Sequence, residues 1–324
     1  MSRSTLGLVC LQIALVGAGV EGLARLAYRP PWYDRLIATQ TESQARQYRK
    51  NADGLRDRDY GPKAPGERRI LVLGDSFTYG IGVDEDAPFP RLLERELNEA
   101  GGATSHRVEV LNGGIPGSLT TQWLSLLLRV QARFDPDVVL VVFFLRDGTR
   151  ITLKEDFFDP IRAGIVERNR ASGAYRHSYA YRMVRDRLDQ KDVARAYIEL
   201  FDRSYFGDPK ETQEWTTAEQ NIAEIRDRAR RRGAAVGLVV FPVLVELDRP
   251  YPFERICEHV TRFGSANGLP TFDLLPAFRG RDATRLWVSP LDQHPNAEAH
   301  EIAARAMLPF VRGLLEQSGR GDAR

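Results

Sequence analysis

The stretch Ile70-Leu71-Val72-Leu73-Gly74-Asp75-Ser76-Phe77-Thr78-Tyr79-Gly80 decides how this chain is read. An unbroken aliphatic run closed by glycine is the pattern of a short, fully buried strand. Gly74 and Gly80 allow tight turns on either side of Asp75-Ser76. A serine placed there projects from the carboxyl end of the strand. A helix opening after it would aim free N–H groups at an anion beside the hydroxyl. Exposure and donors for a developing oxyanion are what a nucleophilic serine needs. Read alone, the Asp-Ser pair serves equally well as a turn or helix cap, because both residues cap helices.

Outward from this stretch, the apolar pattern returns at residues 108–111, 138–144, 234–241 and 271–274. Helical patterns fill residues 90–100 and 119–133, and a last helix is expected over 296–316. Strands separated by helices predict an α/β fold, a three-layer sandwich around a central parallel sheet of about five strands. Continuously apolar strands require helices on both faces. Such sheets bind ligands at the carboxyl ends of their strands. Residues 151–215 interrupt the rhythm with charges and aromatics, among them Phe157, Phe158, Tyr175 and Tyr205. They read as a helical insertion between the third and fourth strands, either a surface elaboration packing its own aromatics or a cap over the site.

The ends read differently. Residues 5–20 are apolar except for Gln12, and Glu21 and Arg25 follow. A membrane span needs about 20 apolar residues, so residues 1–27 are expected to be an uncleaved signal-anchor helix. A cleaved signal and a buried helix are the alternatives. Arg3 precedes the segment and Arg25, Arg29 and Arg35 follow it, so the positive-inside rule does not favour export. Residues 28–65, polar and interrupted by Pro30, Pro31, Pro62 and Pro65, read as a linker into a domain over 66–320.

Composition bounds the partners. The 324 residues are 43% hydrophobic and 28% charged, enough for an ordinary core. Net charge is +2 with the two signs interleaved, so no basic stripe points to nucleic acid. Arginines 226, 228, 230, 231 and 232 close a predicted helix, where cations suit the dipole. Cys10 and Cys257 offer no metal spacing and no disulfide.

A nucleophilic serine also needs a base, and the chain has five histidines. His294 stands in Leu291-Asp292-Gln293-His294-Pro295-Asn296, two residues after an aspartate able to orient its ring. Pro295 and Asn296 mark a helix start, which puts His294 on a loop. His300 falls inside that helix as a packing or surface residue, and His106, His177 and His259 have no evident partner nearby.

Taken together, these segments resemble the SGNH/GDSL hydrolase superfamily in its membrane-anchored bacterial form. The run from Ile70 to Val83 resembles its first block, Asn112-Gly-Gly-Ile-Pro-Gly117 its second and Asp292-Gln-His-Pro-Asn its last. The resemblance covers residues 66–318 apart from the insertion and implies the SGNH/flavodoxin-like fold. It implies Ser76 as nucleophile, His294 as base and Asp292 as the acid that holds the imidazole. It further implies oxyanion donation by the backbone of Ser76 and Gly117, with Asp75 and Asn112 on the oxyanion and substrate side. Two positions depart from the pattern. Leu145-Arg146-Asp147-Gly148 stands where Gly-Asn-Asp is usual, so Arg146 replaces the amide donor. Arginine is a strong, permanently charged donor; it can serve an oxyanion or turn away into a salt bridge with Asp147. Also, a single residue separates Asp292 from His294, where two are more common.

The function implied is hydrolysis of a small acyl ester, including O-acetyl groups on a saccharide. The catalytic domain would be extracytoplasmic (periplasmic) and tethered to the membrane by its N-terminal helix. No metal, organic cofactor or nucleic acid is implied. Two alternatives stand beside this reading: an O-acyltransferase using the same serine, and a binding or assembly module whose site is impaired by Arg146.

Overall fold

The computed structural model describes residues 3–29, 48–100, 107–149, 159–290 and 292–321. His106, Phe157, Phe158, Leu291 and residues 30–47 of the expected linker lie outside the described residues. Helices are α1 (Arg3–Ala27), α2 (Ser76–Tyr79), α3 (Phe89–Ala100), α4 (Thr120–Phe134), α5 (Asp159–Ala171), α6 (Gly173–His177), α7 (Tyr179–Phe206), α8 (Gln213–Arg230), α9 (Glu254–Ala266), α10 (Leu275–Phe278) and α11 (Ala297–Gly321). Strands are β1 (Arg68–Gly74), β2 (Val108–Gly114), β3 (Val138–Phe144), β4 (Ala235–Phe241), β5 (Thr271–Asp273), β6 (Trp287–Ser289) and β7 (Asp292–Pro295).

The five-stranded sheet runs β2-β1-β3-β4-β5 and every pair is parallel. All seven residues of β3 are buried, as its unbroken apolar sequence requires. In register, Phe143 pairs with Val240 and Phe144 with Phe241, so alternate side chains enter opposite layers. On one face Phe143 meets Trp123 of α4 and Trp215 of α8, edge to face at 6.4 and 5.7 Å. On the other, Phe241 meets Phe89 of α3 and Phe278 of α10. This is the three-layer α/β arrangement expected from the strand pattern. The chain leaves β1 to one side for β2, then crosses back for β3. The strand order therefore reverses between β1 and β3, and a crevice opens at their carboxyl ends. That topology decides where the site lies.

The chain divides into two compact units, residues 1–39 with 151–199, and residues 40–150 with 200–324. The first contains α1, α5, α6 and most of α7. Three details of the second differ from the sequence reading. Leu55, Arg56, Asp57 and Tyr60, placed in a linker by their polar surroundings, are buried in the sheet unit. Phe201, Tyr205 and Trp215, assigned to the insertion, are likewise buried there. His294 does not lie on a loop: β7 pairs antiparallel with β6, with Trp287 opposite Pro295 and Ser289 opposite Asp292. The hairpin is too short to show any alternation in sequence.

Candidate active site

Ser76 opens α2 directly after β1, half-buried at the crevice. The turn is forced by crowding. A Cβ on Gly74 would fall 2.1 Å from Thr78 Oγ1, and one on Gly114 would fall 2.2 Å from the Tyr79 nitrogen. Asp75 caps the short helix, its Oδ1 accepting the Phe77 N–H at 2.9 Å. The N–H of Ser76 belongs to the first helical turn, where donors have no intrahelical partner.

Opposite, β7 delivers His294. His294 Nε2 lies 3.0 Å from Ser76 Oγ, and its Nδ1 lies 2.5 Å from Asp292 Oδ1. The same Asp292 oxygen accepts the His294 backbone N–H at 3.1 Å. An aspartate that accepts from the backbone and meets Nδ1 places the ring proton on Nδ1, which leaves Nε2 as the acceptor facing the serine. Asp292 is 3% exposed at its side chain, His294 21%. A single intervening residue is enough because β7 is extended. Residues two apart then share a face. Phe77 walls the base, ring centroids 5.7 Å apart, and is itself stacked on Phe144.

The remaining expected site residues fall into two groups. Gly117 lies on the loop after β2, at a positive φ of 71° with open space where a Cβ would be. This loop is laid beside β1 by the Ile115 N–H, which donates to the Gly74 carbonyl at 3.0 Å. Asp75 and Asn112 are both buried beside Ser76: Asp75 Oδ1 holds the Phe77 N–H, while its Oδ2 faces the Ser76 hydroxyl at 3.3 Å. The Asn112 amide donates to the Tyr79 carbonyl at 3.4 Å and accepts from the Gly114 N–H at 3.0 Å.

Arg146 sits on the 3-10 turn that follows β3. Its Nη2 meets Asp147 Oδ1 at 2.9 Å, the Ser118 carbonyl at 3.3 Å and Asp75 Oδ2 at 3.5 Å. The guanidinium thus joins the turn after β3 to the loop carrying Gly117 and to the residue beside the nucleophile. Asp147 is fully buried, and burial pushes its carboxyl well up, with the nearby Asp75 charge adding to the push and Arg146 opposing it. From behind, the Tyr205 hydroxyl donates to the Leu145 carbonyl at 2.5 Å. Its ring fills the space beside Gly148, where a Cβ would stand 2.3 Å from the phenol oxygen.

One residue in contact with the nucleophile turn escaped sequence reading. Arg56, 6% exposed, donates from Nη1 to the carbonyls of Tyr79, at 3.1 Å, and Gly80, and from Nη2 to Val83 at 2.7 Å. It lies over the ring of Tyr48 at 4.2 Å, and the Tyr48 hydroxyl accepts the Gly82 N–H at 2.6 Å. Next to it Asp57 accepts the Asn112 N–H at 2.9 Å and the Tyr60 hydroxyl at 2.8 Å. The only hint in the sequence was an Arg-Asp pair in a segment with no apolar periodicity. Among the described residues no group of three or more His, Cys, Asp or Glu could hold a metal ion.

The profile of the GDSL-like lipase/acylhydrolase family matches residues 72–302, and the chain belongs to that family. An arylesterase of Vibrio mimicus is 35% identical over 82 residues, which are 25% of this chain and 39% of that protein. The chain thus aligns with less than half the length of that relative. Among solved structures, a lipase/acylhydrolase from Enterococcus faecalis is 17% identical with a TM-score of 0.45, covering 76% of this chain and 96% of its own. A catalytic mutant of an acetylxylan esterase from Geobacillus stearothermophilus is 14% identical with a TM-score of 0.46, covering 75% and 94%.

Proposed function

We propose that this protein is a serine esterase that cleaves a small acyl ester by acyl transfer through Ser76. The observation carrying this reading is the continuous relay Ser76–His294–Asp292, with contacts of 3.0 and 2.5 Å. Ser76 Oγ attacks the acyl carbonyl as His294 Nε2 takes its proton, and Asp292 holds the imidazolium that forms. The backbone N–H groups of Ser76 and Gly117 receive the carbonyl oxygen as it becomes an oxyanion. The imidazolium then protonates the departing alcohol. Water, deprotonated by His294, attacks the acyl-serine and releases the acid.

Membership of the GDSL-like family supports the reaction class. The acetylxylan esterase among the structural relatives suggests O-acetyl groups on a carbohydrate as a substrate class to try first. The N-terminal apolar helix supports attachment to a membrane, and the outer face is assigned to the catalytic unit on the family resemblance alone.

Fluorophosphonate labelling of the full chain in detergent tests the site. Labelling of the wild type, lost in both Ser76→Ala and His294→Ala, is the expected result. A well-folded wild type that takes no label overturns the reading. Acetate release from acetylated oligosaccharides, with and without saccharide acceptors, then separates hydrolysis from transfer. A periplasm-active reporter fused to the carboxyl terminus checks the side of the membrane.

A further inference from the structure

The unit formed by residues 1–39 and 151–199 holds a cavity of about 300 Å³ between α5, α6 and α7. Arg170, Arg176 and Arg182 line it together with Asn169 and Tyr175, and among the described residues no carboxylate does. Arg182 is fixed in place. Its Nε donates to the Tyr175 carbonyl at 2.5 Å and its Nη2 to the Arg176 carbonyl at 2.8 Å. Its guanidinium lies over the rings of Tyr179 and Tyr175 at 4.6 and 5.4 Å. Arg170 and Arg176 are exposed and, among the described residues, form no ion pair. Two buried acids of these helices are already committed. Asp186 accepts the hydroxyls of Tyr28 and Tyr175 at 2.9 and 2.7 Å. Asp189 is buried and holds Arg168, Arg185 and the Asn169 amide. Three guanidiniums converging on one concavity repel each other, and a low-dielectric cleft lined by one sign concentrates the opposite one. Guanidinium pairs naturally with phosphate oxygens in a bidentate fork.

The same unit contains the candidate span. Residues Gly7–Ala27 are long and apolar enough to cross a membrane. At 1.5 Å per residue that helix reaches about 31 Å, close to the hydrocarbon thickness. Its contacts with the cavity helices begin at Glu21, in the last third of the span. Glu21 accepts the N–H groups of Tyr179 and Ala180 at 2.8 and 3.1 Å and the Ser178 hydroxyl at 2.8 Å. Arg25 lies over the Tyr179 ring at 5.2 Å. The start of α7 therefore meets α1 near the end of the span, at the level of lipid headgroups. On α7, Tyr181, Val184 and Leu188 are 43%, 61% and 46% exposed. Spaced at i, i+3 and i+7, they form one apolar row. Basic side chains beside an exposed apolar row, next to the end of a span, suit the headgroup boundary of an anionic bilayer.

We propose that this cavity binds the phosphate headgroup of an anionic membrane lipid, with Arg170, Arg176 and Arg182 as its cationic ligands. The proposal rests on α1 entering a membrane. Free phosphate would satisfy the guanidiniums but leave the apolar row of α7 uncovered, so a lipid is the occupant.

The test uses the full chain in mixed micelles containing phosphatidylglycerol, phosphatidylcholine or inorganic phosphate alone, with binding followed by native mass spectrometry. Wild type is compared with Arg170→Ala/Arg176→Ala, both exposed positions. Fluorophosphonate labelling of Ser76 and the circular dichroism spectrum check that the variant is folded. Phosphatidylglycerol should be retained about tenfold or more over phosphatidylcholine, and the double variant should lose most of that preference. Equal retention of the two lipids, an unchanged preference in the variant, or competition by inorganic phosphate at the same concentration overturns the lipid site. Cell fractionation runs alongside. Wild type recovered in the soluble fraction would remove α1 from the membrane and the proposal with it. Wild type in the membrane fraction without lipid preference overturns the lipid site and leaves the anchor standing.

Discussion

At the scale of the residue, the proposed chemistry rests on three side chains and one substitution. Replacing Ser76 or His294 by alanine is expected to lower ester turnover by about 10⁴-fold or more, because the members of such a relay act as a unit. Asp292→Asn should cost about as much as loss of the base, since it removes the acceptor that keeps the proton on Nδ1. Steady-state hydrolysis of a chromogenic acetyl ester measures all three. Arg146 behaves differently. Its guanidinium ties Ser118, Asp75 and Asp147 together, so it acts as a strut for the loop bearing Gly117. Arg146→Asn would supply a short amide but leave Asp147 buried without its cation, an error that costs about 3 kcal/mol. Urea denaturation should show that loss, and Asp147→Asn in the same chain should restore at least about 1 kcal/mol of it. A single Arg146→Asn variant as stable as the wild type would dismiss the strut.

At the scale of the element, the nucleophile turn is held from outside. Arg56 fastens the carbonyls at the end of α2, and its removal frees a turn whose position the attack geometry depends on. Misplacing a reacting group by about 1 Å can cost about 10²-fold in rate. Arg56→Lys retains the charge but cannot span two carbonyl directions, so the labelling rate of Ser76 should fall by about that factor. Tyr48→Phe, which loses the bond from the Gly82 N–H but keeps the ring under Arg56, gives a milder drop in the same assay. Unchanged labelling in Arg56→Lys would reduce that contact to general packing.

The core strands were legible because each is a continuous apolar run closed by a turn. Ser76, Asp292 and His294 were legible because each lies in a short polar block at a strand end, and the structure brings the three within hydrogen-bonding distance. Residues 48–60 were not legible, because they bind mainly through guanidinium and carboxylate contacts to backbone groups, which leave no apolar period. Pro62 and Pro65 strengthened the look of a linker. The end of the insertion was hidden for another reason. α7 is one continuous helix, and only burial of Phe201 and Tyr205 shows that its last turns belong to the sheet unit.

At the scale of the whole molecule, one buried base works against the fold in acid. His300 on α11 is fully buried, its Nδ1 accepting the Phe89 N–H at 3.2 Å and its ring stacked on Phe89. Accepting at Nδ1 puts its proton on Nε2. Burial, with the charges of Arg56 and His294 adding to it, lowers its pKa to about 3. Between that value and the ordinary histidine range, the unfolded chain binds one more proton than the folded one. Its contribution is intact above about pH 6.5 and declines on acidification by up to about 1.4 kcal/mol per pH unit, until the folded protein is protonated as well. Burial raises the Asp57 carboxyl to about 6, which acts in the opposite sense over this range, so the His300 share is read as the advantage of wild type over His300→Gln in urea midpoint, which should shrink from pH 7 to pH 5 and pH 4. A midpoint that falls equally in both proteins would assign the acid response to other groups.

The buried segment around Arg56 bears on how the catalytic unit can be isolated. The family match begins at residue 72, whereas Tyr48, Arg56, Asp57 and Tyr60 precede it and close one side of the nucleophile turn. Scissors placed at the family boundary would yield a fragment with Ser76 intact in sequence and its backing torn away. The productive cut for expression or crystallisation lies upstream of Tyr48.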